Sequence, residues 1–495
     1  MTRDLSKLFS RSFDLLVVGG GIMGAGIAWD ASLRGLSCAL VDQGDFAGGT
    51  SSKTTKLIHG GIRYLENLEF KLVRQGIRER QILLRSAQRW VKPLPFLIPV
   101  VDGSPRPWPL VKIGVALYDW LAGRASIERH RFLDRERLIQ TEPLLSDSGA
   151  ERGAIYTDAQ MDDAWLVLAV VRAAAGAGAT AANHCGVARW HLEEGKVTGA
   201  DLEDRLTGKR CLVKAAVVVN ATGPWVDRLR RLADPAAQPI VRPSKGIHLV
   251  YPDLGLKQAL LLSSAKDRRI FFLIPWRGLT LIGTTDADYS GDPGDAVADP
   301  ADVEYLIQET HRRLPRLNLS KDRILATFAG VRPLVLQEKK DPWAVSRSHL
   351  IHEDSNGLIS LVGGKFTTFR YAAQEMVDRI AGRFPGRSFS PCRTDQTPLG
   401  GSQGRASQEP AQTLCPHHPF IKTDIRYAVE EEMAMTISDL LWRRFQVGLT
   451  ACHGLDMLTA AGEEMGRLLG WSSNELSRQI DVYRAELSFN SRWQQ

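Results

Sequence analysis

Two hydrophobic patterns alternate along the chain. Short continuous apolar runs occur at FDLLVV (Phe13–Val18), SCALVD (Ser37–Asp42), AAVVVN (Ala215–Asn220) and LISLVGG (Leu358–Gly364). Such runs are the form of strands buried on both faces, as in a parallel sheet. Helical periodicity over Ala25–Arg34, Asp163–Ala175 and Thr367–Ile380 accompanies them. Residues 12–90, 150–235 and 350–383 therefore read as one discontinuous α/β domain. Between 240 and 335 the pattern turns to short β-rich runs, KGIHLVY, RIFFLIPW and LTLIGTTD, the last two joined across Trp276-Arg277-Gly278. These predict an antiparallel sheet in an inserted domain assigned to 91–149 and 236–349. Residues 384–412, rich in Pro, Gly, Ser and Gln, read as a linker. Residues 413–495 read as a small helical domain with an acidic run at Glu430–Glu432 and a basic Trp442-Arg443-Arg444. The fold class expected is thus α/β plus α. No internal repeat is visible.

The first apolar run leads into Gly19-Gly20-Gly21-Ile22-Met23-Gly24, which satisfies G-x-G-x-x-G. Gly19 permits the tight turn, Gly21 lets backbone approach a pyrophosphate, and Gly24 lets the helix pack on the sheet. The helix start offers free N–H groups and a favourable dipole to phosphate. The second run ends at Asp42, near the spacing of about 20 residues at which an acid meets a ribose hydroxyl. Strand, turn, helix, strand and acid in this order define a Rossmann-like dinucleotide site. A glycine cluster in a loop, or a surface Asp42, are the alternatives.

Length and composition narrow the setting. At 495 residues, 44% apolar and 24% charged, the chain is an ordinary globular protein of two to three domains. Six cysteines without a C-x-x-C pair argue against metal sites and disulfide frameworks, and point to a reducing cytoplasm. No signal-type apolar stretch follows the N-terminal basic residues, and no run reaches the roughly 18–20 apolar residues of a membrane span. The net charge of +7 suits nucleic acid, an anionic membrane or an anionic substrate. No nucleic-acid-binding signature stands out, so no nucleic-acid partner is expected.

The motifs VVGGGIMGAGIAWDASLRGL, TSSKTTKLIHGGIRYLE, NATGPWVD, KGIH, IPWRGLTLIGTTD, FAGVRPL and GGKFTTFR occur in that order. Together they resemble the FAD-dependent, membrane-associated (aerobic) glycerol-3-phosphate dehydrogenases. The resemblance is dense from about 12 to 375 and looser beyond 400, where SDLLWRR resembles that family's C-terminal helical domain. Asp42 stands where many members carry Glu, and residues 384–495 are comparatively short and divergent. The resemblance implies FAD as cofactor and oxidation of sn-glycerol 3-phosphate to dihydroxyacetone phosphate. Hydride would pass from C2 to flavin N5, with reoxidation by a membrane quinone. A glycerol-3-phosphate oxidase using oxygen, or another FAD-dependent 2-hydroxy-acid or amine oxidoreductase, are the rival readings. A homodimer remains open.

A dianionic substrate favours arginine, whose planar fork matches phosphate oxygens in pairs. The resemblance implies Arg63, Arg332 and Arg347 around the substrate, with Tyr64 adding a hydroxyl; a structural ion pair is the alternative for each arginine. Histidine is the natural base near neutral pH. His248 is favoured, on a strand face opposite Ile247 and Leu249, with His59 as rival; a histidine merely hydrogen-bonded in the core is the alternative for both. Lys365, after Gly363-Gly364 at a strand-to-helix turn with Thr367 near it, would stabilise negative charge on reduced flavin and on substrate. The remaining flavin contacts expected are Thr50, Ser51, Ser52, Lys56, Gly60, Gly61, Thr222, Gly223, Trp225 and Gly364, with Val187 beside the adenine by resemblance only.

Two segments, QILLRSAQRWVKPLPFLIPV and RPWPLVKIGVALYDWLAGR, combine basic residues with Trp90, Trp108, Trp120 and aliphatics. Arg78, Arg85, Arg89 and Lys92 are expected on one helical face, an interfacial pattern for anionic lipid. An amphipathic helix packed on its own domain is the alternative. With the resemblance, the expectation is peripheral attachment to the inner face of the cytoplasmic membrane.

Overall fold

A computed structural model describes residues 1–337, 348–400 and 413–494. Two sheets organise it. The first has the order His349–Glu353, Ile359–Gly363, Arg210–Asn220, Phe13–Val18, Cys38–Val41, Thr180–Ala182, parallel throughout except for the His349–Glu353 edge. The helices Ile22–Leu33, Asp163–Gly176 and Phe369–Ala381 pack together against one face, burying Trp29, Val167 and Phe369. On the other face a meander, Cys185–Glu193 and Lys196–Asp204, runs into the long strand Arg210–Asn220. That strand pairs antiparallel with the meander at its start and parallel with Phe13–Val18 at its end. The apolar run AAVVVN is its parallel half, which explains why only that half reads as continuously hydrophobic.

The second sheet is mostly antiparallel and contains Val241–Pro252, Leu279–Gly283, Ile270–Trp276, Ala259–Ser263, Val91–Val101 and Ala150–Met161. Residues 150–161, expected in the dinucleotide domain, pair with Val91–Val101 in this sheet instead. The pairing gives Val91–Val101 a long antiparallel neighbour. The hairpin at Arg277-Gly278 is as tight as expected, Trp276 pairing with Leu279 and both turn residues having positive φ (51° and 73°).

Register decides what faces the first sheet. In an antiparallel pair, directly opposed residues share a face. His248 opposes Phe328, Gly246 opposes Gly330 and Ser244 opposes Arg332. The residues between them, Ile247, Leu249, Ala329 and Val331, enter a hydrophobic core on the far side. One strand pair thus places His248 and Arg332 on the same side, four residues apart along each strand, so that the long arginine side chain must reach back towards the histidine.

The C-terminal residues form the helices Lys422–Glu432, Leu458–Leu469 and Ser473–Asn490 around Ile437, Leu441 and Tyr483. Residues 401–412 of the expected linker, and Arg347, lie outside the described residues. The shared basic face fails, because the helix Phe70–Ser86 ends before Arg89 and Lys92, and Lys92 lies on the strand Val91–Val101. Trp90 is buried against Trp165 rather than at an interface. Among the described residues, no helix is long and apolar enough to cross a membrane.

Candidate active site

A cleft of about 1450 Å³ runs between the two sheets, and the C-terminal domain walls one end. At its centre lies the glycine turn. A Cβ on Gly24 would fall 1.8 Å from Gly19 O, so the helix approaches the turn as closely as glycine allows. The helix has a glycine N-cap, which brings no side chain of its own, and no acid in its first turn. An anion therefore meets no competing carboxylate there. Asp42 accepts from Gly20 N (2.7 Å) and Gly44 N (2.8 Å), so the acid also shapes the turn. Burial raises its pKa and these two bonds oppose the rise.

Gly21, Thr50, Ser51, Gly61, Thr222 and Gly223 line the cleft, as do Trp225, Val187, Gly364 and Thr367. Ser51 Oγ accepts from Ile22 N at 3.0 Å, and Thr367 Oγ1 accepts from His59 N at 3.2 Å. Four expected cofactor positions do not line the cleft: Gly24, which packs on the turn, and Ser52, Lys56 and Gly60. Lys56 Nζ is buried in an ion pair with Asp163 (2.6 Å) and donates to Ser52 O (2.8 Å). Asp163 is fully buried and needs a cation, and Lys56 supplies it from a left-handed backbone position (φ 59°). Ser52 enters only through that carbonyl. Of the two lysines in this segment it is Lys53 that lines the cleft, and its pKa is lowered by burial and then by Arg443. Gly60 packs outward, where a Cβ would stand 2.2 Å from Tyr118 Oη.

The substrate end gathers the remaining candidates. His248 is buried and stacks on Phe328 at 4.8 Å. Its Nε2 meets Thr55 Oγ1 at 3.1 Å, and its Nδ1 has no hydrogen-bond partner among the described residues. Burial, then Arg332 and Lys56, hold its pKa well below the ordinary value. His59 is pushed down to about 3 by burial, then by Lys365, Arg63 and Arg80. Both imidazoles are therefore neutral near pH 7. Arg63 Nη2 donates to Tyr64 Oη at 3.1 Å, and Lys365 Nζ lies 3.7 Å over the Tyr64 ring. Arg332 donates to Thr284 Oγ1 (2.8 Å) and Asp286 Oδ1 (3.2 Å). Arg63, Tyr64, Arg332, Lys365, His59 and His248 all line this one cleft.

Sequence reasoning missed the residues that hold these groups. Asp286, two residues beyond Thr284, accepts from Ser244 Oγ as well as Arg332. Asp158 accepts from Tyr118 Oη (2.7 Å), Gly60 N (3.2 Å) and the buried Arg80. Its sequence neighbours Thr157 and Gln160 are polar too, so nothing local marked it as a buried carboxylate needing partners.

Parallel sheet, glycine turn and a cleft closed by an antiparallel sheet define an FAD-dependent oxidoreductase, and residues 14–379 match the family so described. Residues 402–476 match the C-terminal domain of alpha-glycerophosphate oxidase. The chain is 35% identical to glycerol-3-phosphate dehydrogenase of Synechocystis, over 99% of this chain and 98% of that one. It is 38% identical to aerobic glycerol-3-phosphate dehydrogenase of Bacillus subtilis, over 81% of this chain and 73% of that one. The structure of glycerol-3-phosphate dehydrogenase from Bacillus halodurans complexed with FAD superposes with a TM-score of 0.80 at 28% identity, covering 98% and 96% of the two chains. The chain belongs to the FAD-dependent glycerol-3-phosphate dehydrogenase family, and its cofactor is FAD.

Proposed function

We propose that the protein oxidises sn-glycerol 3-phosphate to dihydroxyacetone phosphate and delivers the electrons to a membrane quinone. The observation that carries the reading is the convergence of Arg63, Arg332 and Lys365 on one cleft with two neutral imidazoles. A phosphate monoester is close to a dianion at neutral pH, and several cations suit it better than the single carboxylate of an amino or hydroxy acid. Thr284 and Asp286 fix the Arg332 fork before substrate arrives. His248 accepts the proton of the substrate's C2 hydroxyl, since it lines the cleft and is neutral. Lys365 and Arg63 oppose the negative charge that develops on that oxygen. Bound FAD supplies the hydride acceptor. His59 lies among three cations that disfavour its protonation, which ranks it behind His248 as base.

The acceptor reading rests on an exposed apolar patch. On the helix Trp108–Ala122, Leu110, Ile113 and Trp120 are 46%, 64% and 72% exposed, with Leu68 at 71%. Lys112 and Arg124 are exposed beside them. Leu110 also lines the cleft, so the patch meets its mouth. Aliphatic and indole groups flanked by cations suit peripheral attachment to anionic lipid, from which a quinone has access.

The test is the visible spectrum of the purified holoprotein before and after sn-glycerol 3-phosphate, without oxygen. Bleaching of the flavin band is expected, and an oxidised spectrum that persists refutes the substrate assignment. Adding a short-chain quinone to the bleached enzyme should restore the band faster than dissolved oxygen does. The reverse order, with hydrogen peroxide accumulating, would make it an oxidase.

A further inference from the structure

We propose that the C-terminal helical domain clamps the adenosine half of the FAD site and thereby sets how tightly the flavin is held. In this fold the pyrophosphate lies at the glycine turn and the ribose at the acid ending the second strand. The adenosine half therefore extends past Asp42, where Gln43, Asp45, His184 and Val187 line the cleft. Gln43 and Asp45 come from the connection after the strand Cys38–Val41, His184 from the one after Thr180–Ala182, and Val187 from the strand Cys185–Glu193 that follows it.

Both connections are tied to the C-terminal domain by buried polar bonds. The Asp45 carboxylate, 0% exposed, receives Arg443 and Arg444, the latter through Nη2 at 2.9 Å and a second, shorter bond. Asn183 Nδ2 donates to Asp45 Oδ1 (2.9 Å) and Met433 O (2.8 Å). His184 Nε2 meets Asp439 Oδ2 at 2.8 Å. Asp439 in turn accepts from Met435 N (2.9 Å), Thr436 N (3.0 Å) and Arg443 Nη2 (2.7 Å). A third link, Trp165 Nε1 to Arg444 O at 2.7 Å, joins the same turn to the helix behind the sheet. Thr436, Ser438, Asp439 and Arg443 complete the wall of the cleft.

Buried ion pairs add little net stability compared with apolar packing, but they fix relative position. Here they fix two loops on which the cofactor pocket depends. Oxygen and nitrogen atoms of Asp45, His184 and Asp439 lie within 4.8 Å of one another, as a metal site would require. The guanidiniums of Arg443 and Arg444 already occupy the side of Asp45 where a cation would bind, so the cluster is an ion-pair clamp.

Arg444 does not line the cleft, so any effect on flavin through it is indirect. Arg444→Lys keeps the charge but loses the two-pronged grip; Arg443→Gln, whose side chain is 14% exposed in the native protein, removes the other grip. The full-length variants would be stripped of flavin and titrated with FAD, and the thermal midpoint of each apoprotein measured. An FAD Kd raised on the order of tenfold in either variant, without a matching loss of apoprotein stability, is expected. An unchanged Kd in both, or a rise that only tracks apoprotein unfolding, overturns the clamp. Should Arg444→Lys not fold, Asn183→Ala, which removes the bridge from Asp45 to Met433 O at a position that does not line the cleft, decides by the same criterion. The inference rests on FAD as cofactor, and a wild-type protein that purifies and reconstitutes without flavin would refute that premise instead.

Discussion

Replacing Gly246 by alanine tests the substrate site without altering a charge. Gly246 has negative φ, so alanine meets no backbone penalty there, only the space around it. A Cβ at this position would stand 2.2 and 2.5 Å from the two terminal nitrogens of Arg332 and 2.5 Å from Thr284 Oγ1. An ordinary carbon contact is about 3.5 Å, so the guanidinium must move by about 1.3 Å. The movement breaks its bonds to Thr284 and Asp286 and takes the fork off the phosphate. A misplacement of about 1 Å costs about 100-fold in rate, or roughly 2.7 kcal/mol of transition-state stabilisation. Overpacking adds a stability cost of about 1–3 kcal/mol, visible as a lower midpoint. The assay is steady-state dye reduction with sn-glycerol 3-phosphate and, separately, with glycerol, which lacks the phosphate. kcat/KM for the phosphorylated substrate should fall about 100-fold while the much lower rate on glycerol changes little. An unchanged value for the phosphorylated substrate, or an equal fall for both, would show that Arg332 does not read phosphate.

Four further outcomes are expected. His248→Asn should lower kcat by about 10²- to 10⁴-fold with FAD still bound, and a loss under tenfold would move the base to His59. Lys365→Met should lower the flavin midpoint potential by ~30–60 mV, the equivalent of ~1.4–2.8 kcal/mol for a two-electron couple, read by spectroelectrochemistry. Ile113→Glu with Trp120→Glu removes two apolar groups of about 1.5–3 kcal/mol each and should abolish sedimentation with anionic vesicles while dye-linked activity stays; unchanged sedimentation would place the lipid contact elsewhere. Stability should also depend on pH in two directions. His59 and His248 bind protons more readily unfolded, so their contribution is complete above about 6.5 and is lost as pH falls through their depressed folded values, which for His59 is about 3. His184, whose pKa Asp439 raises against burial, contributes below about 6.5 and loses that contribution as pH rises through its folded value. Melting curves from pH 4 to 9 check the first, and FAD affinity over the alkaline half checks the second.

Features that depend on neighbours close in sequence were legible from the chain. The run Phe13–Val18, the glycine turn and Asp42 declared the dinucleotide site, because turn, helix start and strand end are set by sterics within about 30 residues. The hairpin at Arg277-Gly278 and the opposed faces of His248 and Ile247 followed from local periodicity in the same way. Where two lysines stood three apart, however, sequence chose Lys56 for the cleft, and a buried carboxylate 107 residues away took it. The residues from Arg78 to Lys92 read as one basic helical face, but the chain leaves the helix at Ser86 to become a strand of the second sheet.

The sequence by itself therefore determined the cofactor class, the chemistry of the candidate groups and the order of the elements. Only the tertiary structure decided which of those groups meet. Register across Val241–Pro252 and Ala326–Val335 put Arg332 beside His248, and Asp286 and Thr284 then fixed its direction. The Asp45 clamp joins residues some 400 positions apart, with no local trace in either segment. Periodicity and turn chemistry report forces between near neighbours in the chain, whereas a buried charge finds its partner only once distant segments have packed around it.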